Sequence, residues 1–148
     1  IKIMSLDGSG KMSKSENQMV TLYLADSDEM ITGKIKKAKT DSGPATTFAE
    51  KPDYIQNLFT LMQLVSAPDA AKKFEDDYNN CTIRYGDMKK QLAEDMVLFM
   101  RPIRERAAAI NADKDYLAKV ITTGKEKART SASATLKEVR KLVGLNYV

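Results

Sequence analysis

The chain has 148 residues, with 24 Lys plus Arg against 20 Asp plus Glu, one Cys, and neither His nor Trp. Zero histidine excludes Ser-His-Asp and Cys-His nucleophiles, imidazole acid–base chemistry and His metal ligands. One Cys excludes a disulfide framework and any multi-Cys zinc site, so chemistry here must use Lys, Arg, carboxylates, hydroxyls or backbone amides.

The first 25 residues differ in texture from the rest. Ile1-Lys2-Ile3-Met4-Ser5-Leu6 reads as a short strand torn from a larger sheet, because a lone strand of this length has no partner. Asp7-Gly8-Ser9-Gly10 is a turn, Lys11-Met12-Ser13-Lys14-Ser15 a polar loop, and Thr21-Leu22-Tyr23-Leu24 a second extended piece.

From Asp26 onward the apolar spacing is helical. Asp26-x-x-Glu29 reads as a capping box opening a helix to about Lys39, with Met30, Ile31, Ile35 and Ala38 on its apolar face. Thr40-Asp41-Ser42-Gly43-Pro44 stops it. Pro52 and Asp53 start the next helix, whose stripe is Ile55, Leu58, Phe59, Met62 and Val65. Ser66-Ala67-Pro68 separates it from a helix over about Asp69 to Tyr78. The longest clear pattern runs from Gly86 or Asp87 to about Asn111. Met88, Leu92, Met96, Phe99, Met100, Ile103, Ala107 and Ile110 recur there at steps of three and four, and Pro102 predicts a kink. A last helical region spans Asp113 to Val143, with an interruption expected at Gly124 and an end at Gly144. The fold class is mainly α, a helical bundle preceded by a short strand and a loop.

No run approaches the roughly 18 apolar residues of a membrane span, and no signal segment opens the chain. Unpaired Cys81 suits a reducing interior, so a cytoplasmic location is expected. The chain opens on Ile1, as expected of a processed chain or a piece of a longer one.

The charge is uneven. Residues 125–141 carry the whole excess of +4, and Lys34-Ile35-Lys36-Lys37-Ala38-Lys39 is a second basic cluster. The first points to a polyanion such as nucleic acid. The second reads as a solvated helix face or as part of an active-site rim.

Lys11-Met12-Ser13-Lys14-Ser15 is the specific signal. It sets two ammonium groups three residues apart, interleaved with hydroxyls, just after Gly8 and Gly10. Lysine is a compact cation suited to phosphate oxygens, and the glycines let backbone approach an anion closely. The spacing differs from that of a Gly-x4-Gly-Lys-[Ser/Thr] loop. The five letters are identical to the KMSKS signature of class I aminoacyl-tRNA synthetases, a match expected by chance roughly once in tens of thousands of chains this long. Ile3-Met4-Ser5-Leu6 lies just upstream, and Lys34-Ile35-Lys36-Lys37-Ala38-x-Thr40-Asp41-Ser42, Leu98-x-x-x-Arg101-Pro102-Ile103-Arg104-Glu105-Arg106 and Lys125-x-Lys127-Ala128 follow in order. On these strings the chain resembles the C-terminal half of the tryptophanyl-tRNA synthetase family over nearly its whole length. The signature is shared with the tyrosyl family. Two departures are a turn one residue shorter than usual before the signature, and Glu16-Asn17 where Asp-Pro is frequent.

The resemblance implies a ligase that activates tryptophan with ATP, releases pyrophosphate and charges tRNA(Trp). By matching positions, Lys11 and Lys14 would be catalytic, stabilising charge on the β- and γ-phosphates. Ile3, Lys11, Met12, Ser13, Lys14 and Ser15 would bind ATP, with Ile3 and Met12 flanking adenine. Mg²⁺ would accompany the nucleotide, with no protein-bound metal. Residues 1–25 would be the C-terminal edge of a Rossmann-like nucleotide-binding domain, and 26–148 an α-helical anticodon-binding domain. Lys125, Arg129, Arg140 and Lys141 would meet tRNA phosphates. The family's His-x-Gly-His element and indole pocket belong to an N-terminal catalytic domain missing from this chain. The fragment alone is therefore expected to be inactive, and the intact enzyme to be a homodimer with no membrane attachment. With the facing domain and ligand missing, residues 7–16 are expected to be mobile. The alternatives are a tyrosyl-tRNA synthetase fragment, a free-standing helical RNA-binding module, and a structural helical interaction domain.

Overall fold

The computed structural model describes residues 3–15 and 17–145. Five α-helices appear among them, and the chain divides into two compact units, Ile1–Arg104 and Glu105–Val148. The expectation for Ile1 and Lys2 lies outside the described residues.

The short strand appears as one isolated antiparallel bridge, Met4 to Lys11. The segment has no sheet neighbour among the described residues, and its backbone groups find other partners. Asn57 is the main one. Its Oδ1 accepts from the Met4 N–H at 3.0 Å, and its Nδ2 donates to the Met4 carbonyl at 3.0 Å and the Ser5 carbonyl at 3.3 Å. The Leu6 N–H donates to the Val20 carbonyl, and the Leu6 carbonyl accepts from the Lys39 N–H. Buried backbone polar groups need such partners, because an unpaired one costs about 1–3 kcal/mol. So tied, Leu6 drops its side chain into the helical core and is 2% exposed. Residues 21–24 likewise form no strand.

Helix α1 is Asp28–Lys36. Its cap is one residue later than the sequence pattern predicts. The Ser27 hydroxyl accepts from the Met30 N–H, while Asp26 is buried and engaged elsewhere. Ile31, Ile35 and Ala38 are buried as expected, and Met30 is exposed. The helix stops before Lys39, because the Lys39 N–H is drawn to the Leu6 carbonyl. Lys89 closes this end, donating from Nζ to the Ala38 carbonyl at 2.7 Å and to the Thr40 hydroxyl at 3.0 Å. Burial lowers the pKa of that ammonium below the usual lysine value.

Helix α2 is Asp53–Val65 and α3 is Pro68–Asn79, the latter with Pro at its first position, where no N–H is needed. They pack through Phe59 and Tyr78, whose rings meet edge to face at 5.7 Å and 81°. Helix α4 is Tyr85–Ala112 and runs through Pro102. Met88, Leu92, Met96 and Met100 are buried from its stripe, but Phe99 and Ile103 are substantially exposed.

Arg101 and Arg104, one turn apart on α4, both reach the Asp28 carboxylate. Arg104 also donates to the Asp26 carbonyl at 2.9 Å. Asp28 is held below the usual carboxylate pKa, first by its hydrogen bond from Arg101 and then by the charge of Arg104. The Arg-Pro-Ile-Arg string is thus a brace on the start of α1.

Helix α5 is Lys114–Leu142 and passes through Gly124, where an interruption was expected. One interior glycine costs only about 1 kcal/mol, which a helix of 29 residues absorbs. Asp113 caps the start by accepting from the Tyr116 N–H at 2.8 Å. Gly144, at φ +72°, ends it as expected, and the Leu145 N–H returns to the Arg140 carbonyl.

Candidate functional site

The polar loop grows from a knotted turn. The Asp7 carboxylate accepts from the Ser9 N–H and from the hydroxyls of Ser5 and Ser9. These bonds, the Ser9 N–H first, hold its pKa below the ordinary 3.8. Gly8 sits at φ +74°, and a Cβ there would lie 2.8 Å from the Tyr54 Cβ, so glycine is required twice over. The turn returns the chain so that the Met12 N–H donates to the Ile3 carbonyl at 2.9 Å. Ile3 and Met12 are therefore neighbours.

The signature is also held from its far side, by residues 21–23. The Leu22 N–H meets the Met12 sulfur at 3.4 Å, and the Thr21 hydroxyl donates to the Ser13 carbonyl at 3.2 Å. The Tyr23 hydroxyl approaches the Lys14 carbonyl at 3.4 Å. These contacts pack residues 12–14 on their own chain, and of the residues expected to be mobile, Glu16 lies outside those described. The Ser13 and Ser15 hydroxyls bond each other at 2.9 Å. The side chains of Lys11 and Lys14 are exposed, and among the described residues neither ammonium is paired with a carboxylate.

Beside the loop lies a groove of about 540 Å³. Ile3, Lys11, Met12, Ser13 and Lys14 form one wall, and Thr21, Leu22 and Tyr23 continue it. Leu61, Leu64 and Val65 of α2 and Met96, Phe99 and Met100 of α4 form the rest. This explains the exposure of Phe99, which faces the groove. Five of the six residues expected around a nucleotide thus share one concave surface, apolar in its depth and cationic at its rim. Ser15 does not line the groove, and reaches it only through its bond to Ser13.

The cluster at 34–39 divides. Lys36 and Lys37 are exposed, as the solvated-face reading expected. Lys34 is buried, and its Nζ donates to the Asp26 carboxylate at 2.7 Å and the Thr21 carbonyl at 2.9 Å. Its ammonium also lies 4.8 Å from the centre of the Tyr23 ring. Sequence reading missed Thr21, Lys34 and Asn57 as supports of the loop. The regular recurrence of Lys34 beside other lysines hid a residue whose partners lie eight and thirteen positions away.

Lys125, Arg129, Arg140 and Lys141 are all exposed on α5, a helix with no buried residue among those described. At 100° per residue, Lys125, Arg129 and Arg140 fall within roughly 60° of one another over about 22 Å, while Lys141 lies off that stripe. Among the described residues there is no group of three or more His, Cys, Asp or Glu placed to hold a metal. No described helix is long and apolar enough to cross a membrane.

Residues 2–101 match the family model described as tRNA synthetases class I (W and Y). The chain belongs to that family of class I tRNA synthetases. The relatives it is similar to include the tryptophan–tRNA ligase of Porphyromonas gingivalis, 49% identical over 97% of this chain and 43% of the relative. That of Nostoc sp. is 38% identical over the same two shares. The chain thus spans well under half the length of the curated relatives it matches. The fold is also that of a tryptophanyl-tRNA synthetase from Mycoplasma pneumoniae (TM-score 0.68, 30% identity, 98% of this chain and 44% of that one). A tyrosyl-tRNA synthetase from Aeropyrum pernix is a weaker likeness, with TM-score 0.58 and 26% identity over 82% of this chain and 38% of that one.

Proposed function

We propose that this chain is the C-terminal part of a tryptophan–tRNA ligase, supplying the phosphate loop and the tRNA-facing helices. The observation that carries this is the wall Ile3–Met12–Lys11–Ser13–Lys14, where an apolar pair adjoins two exposed ammonium groups that no carboxylate pairs among the described residues. Such a wall fits a nucleotide, with adenine on the apolar part and phosphates under the cations. In the reaction, a tryptophan carboxylate oxygen attacks the α-phosphorus of ATP. The bond from that phosphorus to the α,β-bridging oxygen breaks, and pyrophosphate leaves with the electron pair. Negative charge grows on the leaving group, where Lys11 and Lys14 stabilise it. The Ser13 hydroxyl donates to phosphate oxygens, and Ser15 supports it through the bond between the two hydroxyls.

Mg²⁺ would neutralise phosphate charge when bound with the nucleotide. The described residues offer it no cage of their own, so no step here is routed through it.

In this reading residues 1–25 belong to the edge of the nucleotide-binding domain and 26–148 to the tRNA-binding domain. The rest of the enzyme provides the histidine side of the phosphate site and the indole pocket. The working enzyme is a homodimer in the cytoplasm. The test is amino-acid-dependent ATP–pyrophosphate exchange. The full-length protein exchanges with tryptophan, and residues 1–148 alone do not. Exchange driven by tyrosine in place of tryptophan would move the assignment to the tyrosyl branch, and exchange by residues 1–148 alone would overturn the division of labour.

The helix α5 stripe supports tRNA contact. Neutralising Lys125, Arg129 and Arg140 together weakens tRNA binding and lowers the slope of log affinity against log salt by about 2–3, as expected for lost phosphate contacts. An unchanged salt slope would remove α5 from the tRNA surface.

A further inference from the structure

We infer that Lys34 is a positioning residue for the signature loop, acting through Thr21 and Tyr23; this rests on the phosphate-loop reading above. A buried ammonium is costly unless every donor is satisfied. Lys34 is satisfied by three groups, all in residues 21–26. They are the Asp26 carboxylate, the Thr21 carbonyl and the Tyr23 ring face. Asp26 closes the knot by accepting from the Tyr23 N–H at 2.9 Å. The ammonium therefore fixes the backbone of residue 21 and both ends of the 23–26 turn to α1.

What that turn holds is the signature itself. Thr21, Leu22 and Tyr23 touch Ser13, Met12 and Lys14 in turn, through two hydroxyls and one N–H. Thr21 is buried, with its carbonyl on Lys34 and its hydroxyl on the loop. Force on the loop backbone between its two lysines is thus carried to α1 through one residue. α1 is braced in turn by Arg101 and Arg104 of α4. The loop ammonium groups must sit correctly on a leaving pyrophosphate, and misplacement of about 1 Å can cost on the order of 10²-fold in rate.

The test uses the full-length protein. Thr21→Val and Tyr23→Phe each remove one hydroxyl and keep the packing, and Thr21→Ser restores the first hydroxyl. Each loss variant lowers kcat for ATP–pyrophosphate exchange about 10-fold and leaves KM for tryptophan unchanged. Thr21→Ser stays near the parent rate. Lys34→Gln lowers kcat at least as far, and adding Thr21→Val to it lowers kcat no further. Amide exchange across Lys11–Ser15 quickens in the loss variants and not in Thr21→Ser. If Lys14→Ala abolishes exchange activity while Thr21→Val and Tyr23→Phe stay within twofold of the parent, the positioning role is overturned and the phosphate reading stands. If Lys14→Ala is silent, the phosphate reading fails. Amide exchange then decides the clamp alone, and unchanged rates at Lys11–Ser15 overturn it. Should Lys34→Gln fail to fold, the two hydroxyl variants still decide.

Discussion

Replacing Lys11 or Lys14 by Ala in the full-length protein lowers the rate of tryptophan activation by about 10²–10³-fold, the usual cost of removing one donor aimed at developing charge. The fold itself has little stake in either side chain. Both are exposed, and neither is tied to a carboxylate among the described residues. Removing them leaves no buried group unsatisfied, so stability changes by less than about 0.5 kcal/mol. The loss falls on kcat more than on KM for tryptophan, because the charge being stabilised exists fully only as pyrophosphate departs. Single-turnover measurement of adenylate formation, beside thermal unfolding of the same variants, separates the two effects. An unchanged rate in either variant would sink the assigned roles, and a rate loss matched by a large fall in Tm would reassign the residue to folding.

Lys34→Met is expected to act in the opposite way, on the fold first. The side chains of Lys34 and Asp26 are 6% and 4% exposed and meet at 2.7 Å. Removing the cation leaves the Asp26 carboxylate and the Thr21 carbonyl buried, with fewer donors. Breaking such a pair costs about 3–5 kcal/mol. Lys34→Met with Asp26→Asn together is milder, because no charge is then stranded in the interior. Urea unfolding of the full-length protein, with amide exchange read at α1, measures both variants. A cost for Lys34→Met below about 1 kcal/mol would show that the carboxylate finds water or another donor. The Coulombic attraction is the smaller part of this account. The larger part is that the three groups served by one ammonium hold residues 21–26 against α1.

The helices were legible because their causes are local. Periodic Met, Leu and Ile along α4, Pro52 and Pro68 at helix starts, and Gly144 past the last helix act within a few residues of where they stand. The misplacements have non-local causes. Asp26 had the right chemistry for a helix cap, but a buried lysine eight residues away claims its carboxylate, and Ser27 caps instead. α1 ends early because Lys39 donates to Leu6, more than thirty residues back. Gly124 reads as a break on propensity alone, and the helix tolerates it because its cost is small against the cooperativity of 28 other residues.

The same division runs through the site. Two lysines and two serines in a five-residue string carry the family resemblance without any fold, because spacing within one loop is a local property. So are the absence of histidine from these 148 residues and the basic run on the last helix. What only the tertiary structure decides is which surface those lysines border and what holds them there. Asn57 pairs the backbone of Met4 and Ser5, Lys34 pins Thr21 and Tyr23, and α2 with α4 line the groove. None of these contacts has a period or a motif. The contacts of Asn57 and Lys34 join residues 11 to 53 positions apart, and it is the satisfaction of buried polar groups that brings them together.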